Sequence, residues 1–150
     1  MKLPMTGHCR CGDTQLRITQ PPMLTTACHC TGCQRMTGGA YSLSVGVPTP
    51  GFELVAGSPV IGGAHDPSVN HYMCPRCMSW VFTRVPSLPF FVNVRATMLD
   101  DLSWFSPFVE TFTAEALPFA KTGAPHSYAK LPSNEEFMRL SGEYAAQHES

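Results

Sequence analysis

The chain has no cysteine after Cys77, no apolar run near the length of about 20 residues that spans a bilayer, and no basic patch or acidic tail. Each absence excludes something. Without a late cysteine there is no separate downstream nucleophile for thiol redox catalysis, because cysteines already committed to a metal are poor substitutes. Ten Lys and Arg against eleven Asp and Glu give a formal charge of −1 and make nucleic acid a poor partner. A membrane-spanning segment is excluded on length, and Met1 to Gly7 lack the apolar core of a secretory signal, so a cytoplasmic protein is expected. No repeat, linker or low-complexity segment interrupts the 150 residues, which fit one domain, 1–150.

Seven cysteines are present, in three clusters: Cys9-Arg10-Cys11, Cys28-His29-Cys30-Thr31-Gly32-Cys33 and Cys74-Pro75-Arg76-Cys77. An odd count leaves at least one thiol over in any disulfide framework, and clusters of this kind in an intracellular chain point to metal. Cys74 and Cys77 can share one tetrahedral zinc at Zn–S distances of about 2.3 Å when the chain turns between them. Residues i and i+2 of an extended chain face the same side, which brings Cys9 and Cys11 together and likewise Cys28 and Cys30. Cys33 returns to the latter pair through a turn at Thr31-Gly32, and His29 then faces the other way. Spacing alone leaves open whether Cys9 and Cys11 join the last cluster or the middle one. A split of four and three leaves no two-ligand orphan, giving a closed structural site and an open one, unless His65 or His71 supplies a fourth ligand to the latter.

Pro 14 and Gly 12 cut the chain into short segments and argue against a helical bundle. Alternation predicts strands over Tyr41–Val47 and over Val92, Val94, Ala96 and Met98, with others at Leu16 and Ile18, Phe52 and Leu54, and Phe108 and Phe112. Turns are expected at Pro21-Pro22, Pro48–Gly51, Gly62-Gly63 and Asp66-Pro67. Trp80, Phe82, Phe90 and Phe91 read as core. One helix stands out over about 133–146, opened by a Ser133/Glu136 capping box and carrying Phe137, Leu140 and Tyr144 at helical spacing, with fraying after Ala146. It is expected to pack on the sheet or on a second subunit, which leaves a homodimer open.

The order Gly7-His8-Cys9-Arg10-Cys11-Gly12, Cys28-His29-Cys30-Thr31-Gly32-Cys33-Gln34 and Cys74-Pro75-Arg76-Cys77 resembles the glutathione-dependent formaldehyde-activating enzyme family, which includes the centromere protein V domain. Thr37-Gly38-Gly39 and Leu99-Asp100-Asp101 add to the likeness, which runs from about Gly7 to about Phe119. The resemblance implies a mainly β fold, a β-tent of short antiparallel strands around zinc with a C-terminal helix. It implies a structural zinc on Cys9, Cys11, Cys74 and Cys77 and a catalytic zinc on Cys28, Cys30 and Cys33. The implied activity is a carbon–sulfur lyase joining glutathione and formaldehyde, or another small electrophile, as S-hydroxymethylglutathione. Two departures are visible: Met78-Ser79 stands where members often carry glycine after the last cysteine, and Phe119 where tryptophan is common.

A zinc held by three thiolates is softer than one held by neutral histidines, so an incoming thiol suits it better than water and would lose its proton there. Free thiols titrate near about 8.5 and are otherwise mostly protonated at neutral pH. Arg35 and the amides of Thr37-Gly38-Gly39 can add positive potential, or be a surface charge and a plain loop. His29 can give a proton to a developing alkoxide, or make a structural hydrogen bond behind the cysteines. The alternative function is a non-catalytic zinc module for a thiol ligand or a protein partner.

Overall fold

The computed structural model describes residues 1–149; the side chains of Ala64 and His65 fall outside that description, and with them the option of His65 as a ligand. In chain order the elements are β1 (Met5–His8), β2 (Gln15–Ile18), β3 (Leu24–Cys28), α1 (Thr31–Thr37), β4 (Ser42–Pro48), β5 (Phe52–Ala56), β6 (Val60–Asp66), β7 (Val69–Met73), β8 (Trp80–Arg84), β9 (Phe91–Arg95), β10 (Val109–Thr111), β11 (His126–Ser127) and α2 (Asn134–His148). They fall into two compact units, Met1–Pro22 with Gly46–Phe105 and Met23–Val45 with Ser106–Ser150.

The first unit holds the antiparallel sheet β1-β2-β5 and the antiparallel run β9-β8-β7-β6. Leu16 and Ile18 of β2 are buried and Gln15 and Arg17 are exposed, the alternation of a half-buried strand. Val81, Phe82, Val92 and Val94 are buried, and Phe82 packs its ring 4.9 Å from Phe52 and 4.6 Å from Tyr72. Gly7 of β1 bridges Leu99 so closely that a Cβ there would overlap the Met98 carbonyl, and Cys9 follows two residues later.

In the second unit β10 lies between β3 and β11 and is parallel to both, with β4 beyond β3. Leu140 and Tyr144 of α2 pack with Leu24, Phe108 and Val109, flanked by Phe137 and Tyr128. Burying one such apolar side chain stabilises by about 1.5–3 kcal/mol, which fixes the helix on the strands next to it. Ser133 and Glu136 form the capping box that the sequence predicts.

The class is mainly β with a C-terminal helix, although the strand pairing is mixed and not purely antiparallel. Several local expectations change. Ala96–Met98 is a 3-10 turn and not the end of a strand, and Phe112 adopts φ 54 just beyond β10. Gly62-Gly63 lies inside β6, where the register with β7 shifts, because glycine there accommodates an irregularity without ending the strand. Thr31-Gly32 opens α1 in place of a simple turn. Phe90 is half exposed, so only Trp80 and Phe82 of the aromatic group are fully core, and α2 continues past Ala146 to His148.

Candidate metal centres

The first group of sulfurs forms in the first unit. Cys9 and Cys11 flank the turn after β1, and Cys74 and Cys77 sit in the knuckle between β7 and β8. The four Sγ atoms lie within 4.8 Å of one another, with Cys9–Cys11 at 3.6 Å and Cys11–Cys74 at 3.8 Å. A tetrahedron with arms of about 2.3 Å has edges of about 3.8 Å, so this donor set fits zinc. Cys9 and Cys74 are fully buried.

Backbone geometry builds the knuckle. The Met78 amide donates to the Cys74 carbonyl at 2.8 Å and the Cys74 amide to the Ser79 carbonyl at 2.9 Å. Met78 takes φ 59 to close the turn, a left-handed conformation in which glycine is favoured. This is the position where the sequence lacks the glycine expected by resemblance. The Thr14 amide donates to Cys9 Sγ at 3.3 Å. The Ser79 hydroxyl, 3.2 Å from Cys77 Sγ, leads in pulling that thiol down to about 5, and the Cys77 amide leads in lowering Cys74.

The second group lies in the second unit, where Cys28 ends β3 and Cys30 and Cys33 frame the start of α1. Their three Sγ atoms also fall within 4.8 Å of one another, and no described His, Asp or Glu joins them. His71 belongs to neither group: its Nδ1 pairs with the Thr83 hydroxyl at 2.9 Å and its ring stands edge-on to Trp80. All seven thiols are free of disulfides.

Local structure holds the trio open-handed. Cys30 Sγ accepts from the Cys33 amide at 3.3 Å and so caps α1, whose far end closes on Gly38 at φ 66. The Ser42 hydroxyl of β4 donates to Cys33 Sγ at 3.1 Å. A thiol proton from Cys33 holds Cys28 down at about 5, while that same contact drives Cys33 well above the usual thiol range; burial leads in raising Cys30. Without metal the trio thus carries its negative charge mainly on Cys28. Arg35 lies exposed in the last turn of α1, and Gly38-Gly39 is its C-terminal cap, so the bland readings of both fit the geometry.

His29, between two of these cysteines, is 1% exposed and turned toward Glu110, with Nε2 2.9 Å from Oε2. Glu110 also accepts from the Thr122 and Ser127 hydroxyls, each at 2.6 Å. Burial opposes its charge, but these donors and His29 outweigh that and hold its carboxyl below the usual range. Glu115 fastens the other side, accepting from the Thr31 amide and hydroxyl at 3.2 and 3.1 Å, while Gln34 Nε2 donates to the His29 and Glu115 carbonyls. Sequence reasoning missed Glu110, Glu115 and Ser42. The one signal for Glu110 was an acidic residue between the β-branched Val109 and Thr111 of a strand.

The family model described as glutathione-dependent formaldehyde-activating enzyme matches residues 4–115. No curated protein matches in sequence. Among solved structures, a crystal structure of a Rhodobacter sphaeroides protein, a structural genomics target, is similar over 64% of this chain and 88% of its own, with 18% identity and a TM-score of 0.53. That likeness concerns the fold alone. No helix of the described residues is long and apolar enough to cross a membrane.

Proposed function

This chain belongs to the glutathione-dependent formaldehyde-activating enzyme family, and from that premise we propose that it is a zinc-dependent carbon–sulfur lyase, adding the thiol of glutathione to formaldehyde or another small electrophile at Cys28, Cys30 and Cys33. One observation carries the reading: the three sulfurs converge, and no fourth described His, Cys, Asp or Glu closes the set. Cys9, Cys11, Cys74 and Cys77 hold a second zinc that fastens the first unit and takes no part in chemistry, since a complete four-sulfur set leaves no open position.

Held by Cys28, Cys30 and Cys33, zinc would supply a soft Lewis acid that favours a thiol in its thiolate form. The protein's part is placement. Cys30 is fixed by its cap on α1, Cys33 by Ser42, and Cys28 by the end of β3. In the reaction the S–H bond and the carbonyl π bond break, a sulfur–carbon bond forms at the aldehyde carbon, the π electron pair passes to the aldehyde oxygen, and the thiol proton ends there. The direction toward free formaldehyde is the same path reversed, with the carbon–sulfur bond breaking.

Line-broadening or exchange NMR of glutathione mixed with formaldehyde tests the proposal. The zinc-loaded chain should raise the exchange rate between glutathione and its hydroxymethyl adduct above the rate without protein, and Cys30→Ser should remove the increase. Equal rates with and without the wild-type chain would leave a non-catalytic zinc module as the correct account.

A further inference from the structure

A buried hydroxyl needs a partner, and on the two strands that flank β3 a hydroxyl finds one on sulfur. Ser42, which opens β4, is 2% exposed and donates to Cys33 Sγ at 3.1 Å. Thr111 of β10 is 4% exposed and stands opposite Cys28 in the parallel register. The Cys33 thiol leads in holding Cys28 down, and the Thr111 hydroxyl adds to it against the effect of burial. The remaining sulfur, on Cys30, accepts from the Cys33 amide at 3.3 Å. Each cysteine of the trio therefore has its own donor, and two of the three donors are side chains from the strands on either side.

A hydrogen bond onto a thiolate is charge-assisted and roughly twice as strong as one between neutral groups. It weakens as the sulfur gives up its charge to an electrophile, so it favours the ground state and raises the barrier to attack by that sulfur. Burial of both hydroxyls keeps solvent from replacing them. A hydroxyl and an amide each carry a single hydrogen, and all three hydrogens are directed at the protein's own sulfurs. A thiol arriving from solution would join the same site without any of these donors.

An aldehyde that reaches this site meets several sulfurs, and only one of them is the substrate's. Attack by a cysteine of the trio would form a carbon–sulfur bond on the protein, pass the carbonyl π pair to the oxygen, draw a proton there from water and leave hydroxide. The set of three ligands would be lost with it. We propose that Ser42 and Thr111 are positioning residues that hold Cys33 and Cys28 as unreactive ligands, so that the aldehyde is left to the outside thiol. This rests on the reading of the trio as the place where that thiol binds.

Iodoacetamide labelling of the zinc-loaded full chain, mapped peptide by peptide, reads the reactivity of each sulfur with no glutathione present. The wild type should be labelled slowly at all three positions. Ser42→Ala should speed labelling at Cys33, and Thr111→Val at Cys28, each by at least about tenfold, equal to about 1.4 kcal/mol of barrier, with Cys30 unchanged. Ser42→Thr keeps the hydroxyl and should return Cys33 to the wild-type rate. Raising free zinc well above saturation should leave these rates as they are, which separates attack by a bound sulfur from attack by one that has lost its metal. Either variant decides the matter on its own sulfur if the other fails to fold. Wild-type rates in the variants, a rise spread evenly over the three cysteines, or a rise that excess zinc abolishes overturns the proposal. The exchange measurement on glutathione and formaldehyde tests the reaction separately: position-specific labelling without faster exchange would keep the protection and remove the reaction, and faster exchange with uniform labelling would do the reverse.

Discussion

His29 Nε2 lies 2.9 Å from Glu110 Oε2 across 81 residues of sequence, and this contact ties the cysteine-bearing end of β3 to β10. Because His29 sits between Cys28 and Cys30, whatever orients its ring also orients the backbone that carries two sulfurs. Glu110→Ala would leave a buried imidazole with neither nitrogen paired, at a cost of about 1–3 kcal/mol. The expected result is a lower melting temperature together with faster loss of metal from the trio to a chelator. A variant that melts earlier but holds the trio's metal as firmly as wild type would show that the contact supports the fold alone.

The two sulfur groups should respond differently to loss of one ligand. Cys74→Ser breaks the closed quartet, with two of its members fully buried, and should give a chain that is largely unfolded or strongly destabilised, since structural zinc contributes directly to folding. Cys30→Ser should remain folded by circular dichroism and lose metal only from the trio. Similar melting losses in both variants would contradict the division between a structural and an open site.

Charge within the metal-free trio is uneven, and this is open to chemistry. The S–H of Cys33 keeps Cys28 down at about 5, while Cys33 itself is driven up. A thiol with a lowered value is a thiolate at all pH above it, so at pH 7 Cys28 is charged and its two neighbours are protonated. After mild chelation that empties the trio, iodoacetamide followed by peptide mapping should mark Cys28 first, with a rate nearly flat from pH 6 to 8. The rate should fall as pH drops through about 5. First labelling at Cys33 would contradict this arrangement.

Met78 closes the knuckle of the quartet at φ 59 and is 56% exposed, so little packing repays the backbone conformation. Glycine adopts that conformation freely, offset in part by its greater freedom in the unfolded chain. Met78→Gly should therefore stabilise the loaded protein by up to about 1 kcal/mol, read as a rise in the denaturant midpoint with unchanged slope. A fall would mean that Met78 makes contacts worth more than the strain.

Much of this was legible in the sequence for a physical reason. Zinc ligands must be close in space, and short spacings such as Cys74–Cys77 and Cys28–Cys30 already bring them within reach, so each cluster was readable by itself, whereas the joining of Cys9 and Cys11 to Cys74 and Cys77 across 63 residues rested on the family resemblance and on leaving no two-ligand orphan. Strands such as β2 and the capped α2 were equally plain, because their alternation and cap are local. Glu110, Glu115 and Ser42 were not, because each reaches Cys33 or a residue between the trio's cysteines through long-range pairing or a loop that leaves no periodic trace. Helix α1 escaped because it is seven residues long, buries none of them, and is capped by a cysteine sulfur and not by a usual capping side chain. The parallel pairing of β10 depends on which strand it meets, which a three-residue segment cannot encode.

Zinc K-edge X-ray absorption on the fully loaded chain, before and after addition of glutathione, measures the central claim. One four-sulfur and one three-sulfur site give a mean of about 3.5 sulfurs per zinc, rising to about 4 when an outside thiol completes the second set. A mean that stays near 3.5, or that already stands at 4 without glutathione, would contradict the account.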